Sequence, residues 1–336
     1  MATDAPRTAV VLSGGVAKGA FEAGALDVLI ERGIRPSIVI GTSSGSLNAT
    51  MLAGAVRAGR ERDATRRLLT LWRDDADWMH IFHLTLRDAL DGRGLSDSAR
   101  IVELMRRELP AITTSALHHV RLRIVVAVLQ GVRHQISRQT ATTFEGVLAF
   151  EDGDFDDDSG RERIYNAAAA SAAFPVLFNP VEVPGLGPCY DGGVVNDVPV
   201  KLAADGGADR VIILAPYPAE LDADKVPRGV ELAARLVDVL IHERLYRDLQ
   251  EAERVNLVIA RIHALATDGV LDDEQVTQVL KAFDARPLEI ITIRPARELP
   301  GNAFAGFLHR NLREQYMTAG HDMANLVLDD LAKRDS

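Results

Sequence analysis

Cysteine is all but absent from this chain: Cys189 is the single one in 336 residues. An internal disulfide and any metal site built from several cysteines are therefore excluded. Basic side chains are outnumbered, 38 Lys and Arg against 48 Asp and Glu, for a net charge of −10. They form no block able to neutralise phosphates, which argues against a nucleic-acid partner. No apolar run approaches the roughly 18 residues that a membrane span requires. A charged-then-apolar leader is also missing at the N-terminus, so the expectation is a soluble, cytoplasmic protein. Repeats, low-complexity tracts and flexible linkers are lacking too, and one domain over residues 1–336 is expected. What is there is ordinary for an enzyme able to bury a sizeable core, 47% apolar and 26% charged.

The stretch that organises the chain is Val39-Ile40-Gly41-Thr42-Ser43-Ser44-Gly45-Ser46. A β-branched run ends at Gly41 and a helix-compatible run starts at Leu47, so Gly41-x-Ser43-x-Gly45 falls on a strand-to-helix turn. That context gives G-x-S-x-G its meaning as a nucleophile elbow: the turn exposes the serine Oγ, and the flanking glycines let strand and helix approach. By itself the pentapeptide is equally compatible with a Gly/Ser turn that carries no chemistry. A second turn precedes it. Thr8 to Leu12 reads as a buried strand, Ser13-Gly14-Gly15-Val16-Ala17-Lys18-Gly19 as a glycine-rich turn, and Ala20 to Arg32 as a helix stopped by Gly33. Two strand–turn–helix units in succession imply a parallel sheet with right-handed crossovers, which brings both turns to the carboxyl ends of neighbouring strands. Gly14, Gly15 and Gly19 fit neither G-x-G-x-x-G nor G-x-x-x-x-G-K-[ST], so phosphate binding is disfavoured.

Further strands are expected over Arg121 to Leu129, Arg210 to Leu214 and Glu289 to Ile293. Helices are expected over Arg60 to Trp78 (exposed), Ser98 to Leu109, Ile164 to Ala173, Gly229 to Ala264, Asp272 to Ala285 and Leu308 to Leu331. The motif core covers about 8–216, a helical insert about 60–118 and a mainly helical part about 225–336. The apolar segment from Trp78 to Leu95, closed by Gly92-Arg93-Gly94, reads either as a mobile cap over the Ser43 cleft that would meet a lipid surface, or as core beneath the sheet. The acidic loop Glu151 to Asp158 mimics a calcium loop, yet Asp157 and Arg163, or Ser159 and Tyr165, stand where Gly and Glu are required. His80 and His83 lack the carboxylates that would complete a metal site and read as cap or packing residues. No metal and no cofactor are expected.

A serine nucleophile needs a base and donors for the oxyanion. A histidine base would be His242, His263, His309 or His321, all in helical, charged surroundings. Asp191 stands apart, because Asp191-Gly192-Gly193 after an apolar segment makes a tight loop aimed at a strand end. A plain Asp-Gly turn is the alternative.

Together, these pieces resemble the patatin-like phospholipases. Leu12-Ser13-Gly14-Gly15-Val16-Ala17-Lys18-Gly19-Ala20 is similar to their glycine-rich oxyanion loop, and Gly41-Thr42-Ser43-Ser44-Gly45 to their elbow. Asp191-Gly192-Gly193 resembles their Asp-Gly-Gly/Ala motif, and Ala170-Ser171-Ala172-Ala173-Phe174-Pro175 their Ala-Ser-x-Ala-x-Pro segment. The resemblance implies a three-layer α/β/α fold and a Ser-Asp dyad, Ser43 as nucleophile and Asp191 as base. It implies an oxyanion hole from Gly14, Gly15 and Val16, with Lys18, Gly19, Gly41, Gly45, Gly192 and Gly193 as motif support. It also implies hydrolysis of a phospholipid or other acyl ester, with transient contact to a membrane surface. Acyl transfer on the same dyad and a non-catalytic lipid-binding module are the alternatives. Two departures from the pattern stand out: Val16 replaces the loop's third glycine, and Lys18 its usual arginine.

Overall fold

A computed structural model describes residues 6–84, 96–112, 116–136, 139–175, 177–220, 230–282 and 287–334. The chain opens with β1 (Thr8–Leu12), α1 (Ala20–Glu31), β2 (Ile38–Thr42), α2 (Ser44–Ala58) and α3 (Glu61–Thr70). Next come α4 (Trp78–Ile81), the short β3 (His83–Leu84) and β4 (Ser96–Asp97), and α5 (Ala99–Ile112). The middle holds β5 (Arg121–Ile136), β6 (Gln139–Phe150), α6 (Asp158–Ser171), β7 (Val181–Val183), β8 (Gly187–Asp191), α7 (Val200–Asp205) and β9 (Arg210–Leu214). It closes with α8 (Val230–Thr267), α9 (Asp273–Ala282), β10 (Glu289–Ile293), α10 (Ala305–Leu308) and α11 (Arg310–Arg334).

Eight of the strands form one mixed sheet in the order β10-β9-β1-β2-β5-β8-β7, with β6 also on β5, and β3 and β4 pair separately. The five strands from β10 to β5 are mutually parallel, while β6, β8 and β7 run antiparallel to their neighbours. Strand alternation gives the layers. Val10 and Leu12 of β1 and Val39 of β2 join a large core with α1, α2 and α11, while Ala9, Val11, Ile38 and Ile40 face a smaller core with Val200 of α7 and Leu245 of α8. A sheet covered on both faces explains why its strands read as continuous apolar runs. The expected three-layer α/β/α architecture with a mostly parallel sheet is what the chain adopts.

Register then positions the site. Leu12 pairs with Gly41, so the turns after β1 and β2 are adjacent. Thr42 pairs with Val125, and the next residue of β5, Val126, pairs with Asp191. The antiparallel return of β8 therefore ends level with Ser43.

Several sequence expectations change here. Residues 60–78 are not a simple exposed helix: α3 gives way to a π-helical turn, Leu71–Asp75, and Ala64, Leu68, Leu71 and Trp72 are buried. Strand β5 runs past Leu129 to Ile136, because Thr140 to Thr143 of β6 pair with Val132 to Gln135. That hairpin carries polar residues on a solvated ribbon, where no apolar alternation is needed to signal strands. Helix α11 packs on α1 at unusually close range, since a Cβ on Gly24 would collide with the Met317 carbonyl and one on Gly320 with the Phe21 carbonyl. Among the described residues no helix is long and apolar enough to cross a membrane.

Candidate active site

Ser43 occupies the junction of β2 and α2 with φ +53° and ψ −132°, a region disfavoured for any residue with a Cβ. Strain of this kind costs roughly 1–3 kcal/mol and persists only where the surroundings enforce it. Here they do. The Ser43 N–H donates to Ser171 Oγ at 2.9 Å, and Ser171 Oγ donates to the Val125 carbonyl at 2.6 Å. The Ser43 carbonyl accepts from the Ser46 backbone N–H at 2.9 Å and from Ser46 Oγ at 2.6 Å. The flanking glycines are needed for space. A Cβ on Gly41 would lie 2.6 Å from the Ala49 methyl, and one on Gly45 2.5 Å from the Leu12 carbonyl oxygen.

Ser43 Oγ donates to Asp191 Oδ2 at 2.7 Å, and Asp191 Oδ1 accepts the Gly193 N–H at 2.8 Å. Both residues are buried, 4% and 3% exposed, so the carboxylate has little water to stabilise its charge. Burial pushes the Asp191 pKa up to about 7, against the opposing pull of its bonds from Ser43 and Gly193. That value suits a general base working near neutral pH. Gly192 is held tightly beneath, where a Cβ would collide with the Val125 carbonyl.

The turn after β1 is pinned by backbone at Ser13, Ala17 and Lys18, whose N–H groups donate to Leu214, Ala303 and Gly15 carbonyls at 3.1, 3.1 and 2.8 Å. The Gly14 N–H donates instead to Asp197 Oδ1 at 2.7 Å. Gly14 is thus committed to a protein acceptor. The N–H groups of Gly15 and Val16 have no acceptor among the described residues. Val16 itself sits at φ +53°, a true outlier for a β-branched residue. Gly19 lies where a Cβ would press on Ser44 Oγ at 2.7 Å, and Lys18 is half-buried beside it.

The cavity at Ser43 is almost wholly apolar. Leu47, Met51, Leu71, Phe82, Phe178 and Phe307 are among its walls, and Ser43, Ser44, Asn48 and Asp191 are the polar side chains with Trp72. Beneath it lies a buried network: the Trp72 indole N–H donates to Asn48 Oδ1 at 2.8 Å, and Asn48 Nδ2 donates to Glu22 Oε2 at 2.8 Å and the Gly19 carbonyl at 3.0 Å. Glu22 is fully buried, and desolvation raises its pKa well above the carboxylate range.

The Trp78–Leu95 segment divides. Phe82 is 4% exposed, with ring centroids 4.0 Å from Trp78, 5.0 Å from Phe178 and 5.4 Å from Phe307, so it belongs to the cavity wall, whereas Met79 is 73% exposed. The remainder of the segment, Leu86, Leu90 and the Gly92-Arg93-Gly94 hinge included, lies outside the described residues.

His263, His309 and His321 are exposed and bond to neither Ser43 nor Asp191; the His242 side chain lies outside the described residues. His80 pairs with Asp77, the N-cap of α4, at 2.9 Å. In the acidic loop Asp152 accepts the Val120 N–H at 3.0 Å and meets His119, Asp154 meets Arg163, and Asp156 meets Arg57. Those carboxylates are engaged with the protein's own basic side chains. Among the described residues no group of three or more His, Cys, Asp or Glu is disposed to hold a metal.

Three features escape sequence reasoning. Asp197 is a buried acid on the loop that follows Asp191, and Ser171 is the strut under the elbow. The Glu22–Asn48–Trp72 network is the third. Ser171 stood in the Ala-Ser-x-Ala-x-Pro segment without a role, and Glu22 carried a signal as a charge inside the apolar run Ala20 to Leu26.

No curated protein matches the sequence significantly. Among solved structures, VipD from Legionella pneumophila is 14% identical, with a TM-score of 0.42 over 97% of this chain and 67% of that one. ExoU, in its complex with SpcU from the type III secretion system of Pseudomonas aeruginosa, is 17% identical, with a TM-score of 0.29 over 94% and 70%. Likenesses at that level carry no weight by themselves. The family model described as patatin-like phospholipase matches residues 10–204, more than half of the 336-residue chain, with Ser43, Asp191 and both glycine turns inside the match; the chain belongs to the patatin-like phospholipase family.

Proposed function

We propose that the chain is a serine acyl hydrolase of lipid esters, with Ser43 as nucleophile and Asp191 as its base. The observation that carries this reading is the 2.7 Å hydrogen bond from Ser43 Oγ to Asp191 Oδ2 at an apolar cavity. As Oγ attacks the ester carbonyl carbon, its proton passes to Asp191. The carbonyl oxygen gains the electron pair and is met by the N–H groups of Gly15 and Val16, which sit at the start of a helical turn where negative charge is favoured. Collapse expels the alkoxide, which takes the proton from Asp191 and leaves an acyl-Ser43. Water then gives its proton to Asp191, attacks the acyl carbon and releases the acid, restoring the serine hydroxyl. Apolar walls accept the acyl chain and repel a charged head group, which stays outside.

The test is a panel of lipid and soluble esters, phospholipids and lysophospholipids among them, with wild type beside Ser43→Ala. Hydrolysis by wild type and none by Ser43→Ala is expected. Equal activity in both would refute the assignment, and acylated alcohol in place of free acid would reassign the chain to acyl transfer.

A further inference from the structure

We propose that Asp197 is a positioning residue for the oxyanion loop, its carboxyl oxygen holding the Gly14 N–H so that Gly15 and Val16 present theirs to the reacting carbonyl; this rests on the Ser43–Asp191 reading above. Ser13 Oγ donates to the Gly14 carbonyl at 3.2 Å inside the loop, whereas the bond from Gly14 to Asp197 anchors residues 13–18 to a side chain 183 residues away. It ties together the two loops that the reaction would use. The Asp191-Gly192-Gly193 turn is carried onward by the Val195 and Asn196 N–H groups, which donate to the Gly192 carbonyl at 3.0 and 2.9 Å, and Asp197 follows directly. Space around the contact is minimal. A Cβ on Gly14 would collide with Asp197 Oδ1 and stand 2.7 Å from Ser43 Cβ, and one on Gly193 would lie 3.0 Å from Asp197 Oδ1. A loop holding Val16 at positive φ needs such an external hold, because its own side chain disfavours the conformation.

The chemistry of Asp197 suits a neutral strut. It is 1% exposed, and its second oxygen, Oδ2, has no partner. The ionisable groups that bear on it are Asp191 from its own loop and Glu22 from α1, both acids, and no cation pairs with it among the described residues. Burial and Asp191 push it up to about 8. An uncharged carboxylic acid keeps negative charge away from the place where the oxyanion forms, and asparagine can replace it atom for atom.

The test compares full-length wild type, Asp197→Ala, Asp197→Asn and Ser43→Ala. The readouts are amide hydrogen exchange of the peptide spanning 13–18, thermal melting, and turnover of a soluble nitrophenyl ester across neutral pH. In Asp197→Ala the 13–18 peptide should exchange faster while the rest of the protein stays protected. Its kcat should fall about 100-fold with KM little changed, the size of one lost oxyanion donor. Asp197→Asn should restore both loop protection and kcat. Wild type should decline above about pH 8, where Asp197 ionises, and Asp197→Asn should lack that decline. Unchanged exchange of the loop in Asp197→Ala overturns the proposal whether or not the ester is a substrate. If Asp197→Ala does not fold, Asp197→Asn decides: faster loop exchange, or an alkaline decline identical to wild type, overturns it. Wild type as inactive as Ser43→Ala would refute the hydrolase reading instead, leaving the exchange data to judge the strut.

Discussion

Two turns lie side by side at the carboxyl end of the sheet, and each holds a non-glycine residue at φ +53°, Val16 after β1 and Ser43 after β2. They differ in what the strained residue offers. Ser43 is fastened by Ser171 and Ser46, and its side chain meets Asp191; the conformation exists to aim Oγ. Val16 lines the cavity, and its backbone N–H has no acceptor among the described residues. A strained turn can therefore serve chemistry by aiming a side chain or by aiming a backbone. The first tolerates one residue type, the second many.

The sharpest way to break that contrast is at the dyad. Asp191→Asn and Ser43→Ala should each lower turnover by at least about 1,000-fold, and the double variant should be no worse than either, as for residues that act as a unit. An Asp191→Asn enzyme near wild-type turnover, measured on any ester that wild type cleaves, would remove the base from the account. Phe82→Asp tests the wall that the two turns share. Burying a carboxylate among Trp78, Phe178 and Phe307 should cost about 3 kcal/mol or more and abolish hydrolysis of soluble and vesicle-bound esters alike. A normal melting temperature with loss confined to vesicles would instead make this segment an interfacial cap.

Titration separates the turns by a smaller margin. Asp191 must be ionised to accept the serine proton, so turnover should drop about tenfold per unit below its pKa of about 7. Stability should move the opposite way. The native state keeps protons on Asp191 and Asp197 up to about 7 and 8, while an unfolded aspartate releases its own near 3.9. Folded protein therefore binds more protons than unfolded across that window, and stability falls as pH rises through it. The melting temperature should be higher near pH 5.5 than near pH 8, with a shallower slope in Asp197→Asn; a rise with pH would contradict the burial of these acids. The smallest effect is expected at Val16. Val16→Gly relieves positive-φ strain and widens the cavity, so stability should stay within about 1 kcal/mol of wild type or improve, and turnover should change only a few-fold. A collapse of kcat comparable with Ser43→Ala would mean that the Val16 side chain itself is part of the chemistry.

What the sequence by itself determined is whatever neighbouring residues decide together. Thr8–Leu12, Arg210–Leu214 and Glu289–Ile293 are strands at the bounds their apolar runs predict, and both glycine turns fall at strand ends as turn chemistry requires. Length of an apolar run and glycine spacing are local properties, so they survive without coordinates. Tertiary structure decided the rest. That Asp191 meets Ser43 follows from the register of β2, β5 and β8, and no local pattern encodes register between strands 148 residues apart. The β5–β6 ribbon was illegible because a solvated hairpin leaves no alternating signature. Asp197 carried no signal in the sequence, since burial is what turns an aspartate into a neutral strut, and burial is set by everything that closes over it.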